Sequence, residues 1–234
     1  MDTYKKALKF WNQVFEINNE EKEELLRKID PENDWKKLAS SGKLRDVIIE
    51  HLSGCSKVLD YGCGEGWAGI TLNKAGCKDV TCVDVVESAI AIANALSTAY
   101  GTANGFKAKC VSTDWIKMEK EGTYDGIFCS NVIDVLPSDV AKDIVINLSR
   151  IATKDAKVII VINPYKKLTS NPEKNIEVKN GNEVYLNGVL RMVLRTDDEW
   201  IRNFSELFVI EKIDYFAWPG ENEETRRIFI LRNK

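Results

Sequence analysis

The feature that most constrains this chain is the passage from Val58-Leu59-Asp60 through Tyr61-Gly62-Cys63-Gly64-Glu65-Gly66 to Trp67, Ile70, Thr71 and Lys74. A short apolar run reads as a buried strand, and the spacing of the later residues reads as a helix. Between them stand three glycines at every second position. Glycine lets the backbone turn sharply and approach a ligand closely. The following helix presents unpaired N–H groups and a positive dipole end. A strand joined to a helix by such a turn belongs in an α/β layer, where ligands bind outside the carboxyl ends of the strands.

The chain on either side continues that alternation. Val80 to Asp84 reads as a second strand, and an alanine-rich helix runs from Ser88 to Tyr100 and is closed by Gly101. Phe106 to Val111, Tyr124 to Ser130 and Lys157 to Ile162 read as the third, fourth and fifth strands. A helix with Val140, Ile144, Leu148 and Ile151 on one face precedes the fifth. This pattern implies a doubly wound, mostly parallel sheet covered on both faces.

The last third differs. Asn180-Gly181 and Asn187-Gly188 are turn signals inside an inserted hairpin at 166–195. Thr196-Asp197-Asp198-Glu199 reads as a capping box for a helix carrying Trp200, Phe204 and Leu207. Val209 to Ala217 and Arg227 to Leu231 read as an antiparallel pair. Residues 1–42 form a separate helical extension, in which Tyr4, Leu8, Trp11 and Phe15 make one apolar stripe. The domain proper is 43–234.

The glycine passage resembles motif I of the class I S-adenosylmethionine-dependent methyltransferases, an acidic residue followed by G-x-G-x-G after the first strand. The resemblance covers about 43–162. It implies a seven-stranded sheet in the order 3-2-1-4-5-7-6 with one antiparallel strand, and S-adenosylmethionine as cofactor. Asp60, Gly62, Cys63 and Gly64 would then line the cofactor's amino acid portion. Asp84, at the end of the second strand, would accept hydrogen bonds from the ribose hydroxyls, and Val85 would pack near the adenine. Asp114 would accept the adenine amino group, with Trp115 against the base. Ser130 and Asn131, at the tip of the fourth strand, would lie under the methionine part and face the acceptor. For a general base the best candidates are Asp134 and Tyr165.

A rival reading lies in Gly64-Glu65-Gly66-Trp67-Ala68-Gly69, which matches the dinucleotide pattern G-x-G-x-x-G and would make the protein an NAD(P) oxidoreductase. That match starts four residues after Asp60, already entering the helix, and Asp60 and Glu65 would repel a pyrophosphate. A third reading is a non-catalytic protein that binds S-adenosylmethionine. Asn163-Pro164-Tyr165 is similar to the D/N-P-P-Y signature of amino-group methyltransferases, but has one proline and follows the wrong strand, so it reads as a turn. His51, the one histidine, falls at the amino-terminal edge of the sheet and reads as structural.

The formal net charge of −3 lacks the basic excess of a nucleic-acid binder, and favours a small-molecule acceptor. No apolar run approaches the ~20 residues of a membrane span. Six cysteines without a C-x-x-C pair lack zinc-ligand spacing and read as reduced thiols, with no metal site, in a cytoplasmic protein. The acceptor atom and the oligomeric state are open. Residues 1–42 and 164–195, outside the sheet, are expected to roof the acceptor pocket together.

Overall fold

In the computed structural model, which describes residues 3–16 and 19–234, seven strands form one sheet. They are β1 (Val58–Tyr61), β2 (Val80–Asp84), β3 (Phe106–Cys110), β4 (Tyr124–Ser130), β5 (Ala152–Ile162), β9 (Phe208–Phe216) and β10 (Arg226–Asn233). Their order is β3-β2-β1-β4-β5-β10-β9. The first five are parallel, and β10 enters antiparallel between β5 and β9. With β9 and β10 as sixth and seventh core strands, this is the expected 3-2-1-4-5-7-6 arrangement.

Alternation along each strand divides the core in two. Val58 and Phe128 turn to one face, packed under α3 (Gly42–Leu52), α4 (Trp67–Lys74) and α5 (Glu87–Ala99). Leu59, Ile127 and Cys129 turn to the other, packed against α6 (Trp115–Met118), α7 (Ser138–Ile151) and α8 (Asp197–Ser205). Parallel strands covered on both faces need side chains that are apolar in both directions, which is why Val158 to Ile162 is an unbroken apolar run, fully buried. The capping box at α8 is formed: Thr196 Oγ1 accepts from the Glu199 N–H, and the Glu199 carboxylate accepts from the Thr196 N–H at 2.7 Å.

The insertion is a three-stranded meander rather than a single hairpin: β6 (Ile176–Lys179), β7 (Glu183–Leu186) and β8 (Val189–Val193). Both Asn-Gly pairs sit at its turns with positive φ at each residue: Asn187-Gly188 is a two-residue hairpin turn between β7 and β8, and Asn180-Gly181 opens the three-residue turn between β6 and β7. The N-terminal extension consists of α1 (Thr3–Val14), α2 (Asn19–Arg27) and a 3-10 turn over Asp34–Lys37. The underside of the meander meets α1, where the Arg191 guanidinium of β8 lies 3.5 Å from the centre of the Phe10 ring.

Among the described residues no helix is long and apolar enough to cross a membrane.

Candidate active site

A cavity of about 580 Å³ opens at the carboxyl edge of the sheet, between the tips of β1, β2 and β4. Its size falls in the usual range for small-molecule sites, roughly 300–1,000 Å³. The floor is the glycine turn. Gly62 and Cys63 both donate their N–H to the Val83 carbonyl, at 2.9 and 3.0 Å, which folds the turn back over β2. Gly62 and Gly64 carry φ of +71° and +52°. They are glycines for different neighbours. A Cβ on Gly62 would stand 2.3 Å from Val132 Cγ2, whereas one on Gly64 would point at the Phe15 ring, 3.3 Å away. Gly62 therefore lets the turn pack on the β4 tip, and Gly64 keeps space below the roof.

Two carboxylates anchor this floor. Asp84 accepts the Gly64 N–H at 2.9 Å on one oxygen and the Val86 N–H at 3.0 Å on the other. It thus ties the glycine turn to the start of α5, and the Val85 N–H adds to the same carboxylate, which still keeps acceptor capacity for a ligand. Burial pushes its carboxyl above the ordinary carboxylate value. Asp60, 2% exposed, borders the cavity floor. Burial raises its carboxyl to about 7, against the opposing effect of the Gly69 N–H, while the nearby Asp84 charge raises it further. A carboxylate held this far from water calls for a cation or a strong donor.

The walls are mostly apolar. Tyr4, Leu8, Trp11 and Phe15, the stripe legible in the sequence, all border the cavity and form its roof. Trp67 meets Phe128 edge-on, at 5.6 Å between ring centres, and both contribute to the wall, as do Val85, Val111 and Trp218. At the β4 tip, Ser130 and Asn131 line the cavity as expected. Asn131 is held in the left-handed region, φ +54°. Its buried Oδ1 has no hydrogen-bond partner among the described residues.

Four expected site residues lie elsewhere. Asp134 is buried beneath the β4 tip, 1% exposed, with one oxygen accepting both the Asn163 N–H and Nδ2 at 2.8 and 2.9 Å. It pins the end of β5 and does not border the cavity, so it cannot reach an acceptor as a base. Tyr165 is 45% exposed, beside Thr196, Asp197 and Asp198 in a separate surface depression, because the chain leaves the sheet edge after Asn163. Asp114 projects into solvent and pairs with Lys117 at 3.3 Å. Trp115 opens α6 and packs on the core beneath it. Neither borders the cavity, whereas Val111, a few residues earlier in the chain, does. The meander also contributes no wall residue. It braces α1 from outside, so among the described residues the roof comes from the N-terminal extension rather than from the two segments together.

Sequence reasoning did not single out Glu65, Trp67, Phe128 or Trp218 as site residues. Glu65 and Trp67 follow directly from their place in and after the glycine turn. Trp218 had no local signal, since it arrives from the far edge of the sheet.

A seven-stranded sheet of this order, with carboxylates at the tips of β1 and β2 around a glycine turn, is the arrangement that the resemblance to the class I S-adenosylmethionine-dependent methyltransferases implies. The comparisons with known proteins agree. The family model described as a methyltransferase domain matches residues 58–155. The ubiquinone biosynthesis O-methyltransferase of Rickettsia bellii is 31% identical over 125 residues, covering 52% of this chain and 49% of the relative. The chain thus spans about half the length of the curated relatives it matches. Two solved structures share the fold at 15% identity. One is the 1,6-didemethyltoxoflavin-N1-methyltransferase of Burkholderia thailandensis with 1,6-didemethyltoxoflavin and S-adenosylhomocysteine bound (TM-score 0.67, covering 87% of this chain and 82% of that one). The other is the magnesium protoporphyrin IX methyltransferase of Synechocystis with bound cofactor (TM-score 0.65, covering 100% and 98%). The chain shares the fold of these methyltransferases, and its residues 58–155 match the methyltransferase domain model.

The residues present fit the cofactor that this resemblance implies. S-adenosylmethionine carries an ammonium, a sulfonium and two ribose hydroxyls. The unpartnered Asn131 Oδ1 and the buried Asp60 carboxyl both call for a donor or cation, and Asp84 retains lone pairs toward the cavity. A pyrophosphate would meet the same carboxylates as repulsion.

Proposed function

We propose that the protein transfers a methyl group from S-adenosylmethionine to a small-molecule acceptor. The observation that carries this reading is the single cavity wall shared by Asp60, the glycine turn, Asp84 and Asn131. Bound there, the cofactor supplies an electrophilic methyl carbon. Asp84 holds the ribose end and Val85 and Val111 the base. Asp60 and Asn131 take the amino acid end, and α1 excludes water from above.

Positioning is the protein's main contribution, and good orientation is worth roughly 7–11 kcal/mol. Among the described residues no imidazole or amine borders the cavity, so the acceptor's own nucleophile attacks and any proton it loses has only carboxylates and tyrosines on the wall to receive it. The small apolar cavity and the net charge of −3 support a small molecule over nucleic acid. All six cysteines are free, which supports a reducing, cytoplasmic setting.

Calorimetric titration with S-adenosylhomocysteine and with NADH tests the assignment. The expected result is saturable binding of the former and none of the latter. NADH binding, or no S-adenosylhomocysteine binding, would overturn it. A binding-only protein would take the cofactor yet release no S-adenosylhomocysteine with any acceptor supplied.

A further inference from the structure

The charge and shape of the cavity carry a statement about the acceptor. Among the described residues, no lysine, arginine or histidine borders the cavity, while Asp60, Glu65 and Asp84 all do. The arginines nearby are engaged elsewhere. Arg191 lies on the outer side of α1 against Phe10. Arg227 donates to the carbonyls of Arg195 and Asn163 and pairs with Asp197 at 3.0 Å. Arg226 is neutralised by Glu221, whose carboxylate takes its Nε and Nη2 at 2.8 and 2.6 Å, and its Nη1 donates to Asn163 Oδ1 at 2.8 Å. A negatively charged acceptor entering this space would lose water and find no counter-charge among these side chains, only the carboxylates of Asp60, Glu65 and Asp84, which is costly.

The same Arg226 prepares an aromatic surface. Its guanidinium lies 3.2 Å from the centre of the Trp218 ring. Glu221 accepts the Trp218 backbone N–H at 2.8 Å as well. One carboxylate therefore fixes both the indole's backbone and the guanidinium that covers it. Trp218 borders the cavity and Arg226 does not, so the guanidinium steadies the indole from outside the wall. A ring fixed in advance loses little freedom when a ligand stacks on it.

Position assigns this ring to the acceptor. Asp84, Val85 and Val111 follow β2 and β3, at one end of the sheet. Trp218 follows β9, the strand at the opposite end. The cavity runs between them, with the glycine turn and the β4 tip in the middle.

We propose that the acceptor is a planar ring system without negative charge, stacked on Trp218. This rests on the methyltransferase reading for the word acceptor, but the surface itself can be tested apart from it. The test is calorimetric titration with 2-naphthol and with 2-naphthoate, one ring system with and without a carboxylate. Each is measured with S-adenosylhomocysteine present and again in its absence. The naphthol should bind about tenfold or more tightly than the naphthoate, since the carboxylate stays unpaired. Trp218→Ala should weaken the naphthol by about tenfold through lost stacking, and Trp218→Phe should keep most of its affinity.

Equal or tighter binding of the naphthoate, no binding of either probe, or an indifferent Trp218→Ala protein would overturn the proposal. The charge comparison uses the unmodified protein, so it stands even if a variant fails to fold. If S-adenosylhomocysteine does not bind but the naphthol preference persists, the methyltransferase reading falls and the surface assignment stands.

Discussion

Asp60→Asn should make the protein more stable while making it bind its cofactor less well. In the fold this carboxyl is raised from an ordinary 3.8 to about 7 by burial. The folded state therefore holds a proton that the unfolded chain has released, throughout the window between those values. Stability rises with pH only where the unfolded chain binds more protons, so here it falls as pH rises from about 4 to 7. By neutral pH the cost of this group is on the order of 4 kcal/mol, taking the full displacement.

Asparagine has the same shape, carries no charge and can still accept the Gly69 N–H. Recovering roughly 1–2 kcal/mol of that cost would raise the melting temperature by about 2–8 °C for a domain of this size. The advantage should be small near pH 4, grow through pH 7 and then level off. Cofactor affinity should move the other way, since a lost charge-assisted hydrogen bond costs about 1.5–3 kcal/mol, or roughly ten- to a hundred-fold. Thermal melts at pH 4, 5.5, 7 and 8, with calorimetry of S-adenosylhomocysteine binding, read both effects. An Asp60→Asn protein that melts lower at pH 7, or that binds the ligand as tightly as the parent, would refute the reasoning.

Other substitutions separate the remaining roles. Asp84→Ala removes two bonds to backbone N–H groups as well as any ribose contact, so it should lower stability by about 1–3 kcal/mol and also weaken S-adenosylhomocysteine binding ten-fold or more; normal affinity in a less stable protein would leave it only the tie between the glycine turn and α5. Gly62→Val should cost roughly 2–4 kcal/mol of stability, from the collision with Val132 and the left-handed backbone. Gly64→Ala should cost less, because its neighbour is the Phe15 ring of the roof, and should show chiefly in ligand affinity. Comparing the two melts and titrations checks that order. Arg191→Ala should lower ligand affinity by a few fold through a looser α1, reflecting a contact of about 0.5–2 kcal/mol, with faster release visible in stopped-flow traces. Asp114→Ala should leave affinity within about twofold, as expected of an exposed surface charge; a tenfold loss would restore it to the adenine site.

The sequence by itself determined the layers and the floor of the site. Strand and helix periodicities are local, and so is the turn from Val58 to Gly66, in which neighbouring residues dictate the geometry. Asp60, Gly62, Cys63, Gly64, Asp84, Val85, Ser130 and Asn131 border the cavity because each sits at a strand's carboxyl end, a position that can be counted along the chain. The stripe Tyr4, Leu8, Trp11 and Phe15 was equally legible as a surface needing cover, though not its target.

Only the tertiary structure decided which residues just beyond the strand tips face inward. Asp134 and Asp114 both follow a strand, yet one is drawn under the sheet by Asn163 and the other is turned outward beside Lys117. Loop conformation and long-range contacts separate those outcomes, and no periodicity records them. The same holds for Trp218, Arg226 and Glu221. Trp218 and Glu221 come from the loop after the sixth core strand and Arg226 opens the seventh, and they meet the β5 tip and the cavity wall only because the seventh strand inserts antiparallel beside β5. Long-range strand pairing brings them together, with Arg226 and Asn163 bonded across 63 positions of chain, and pairing of that kind is settled by packing of the whole sheet rather than by any segment of it.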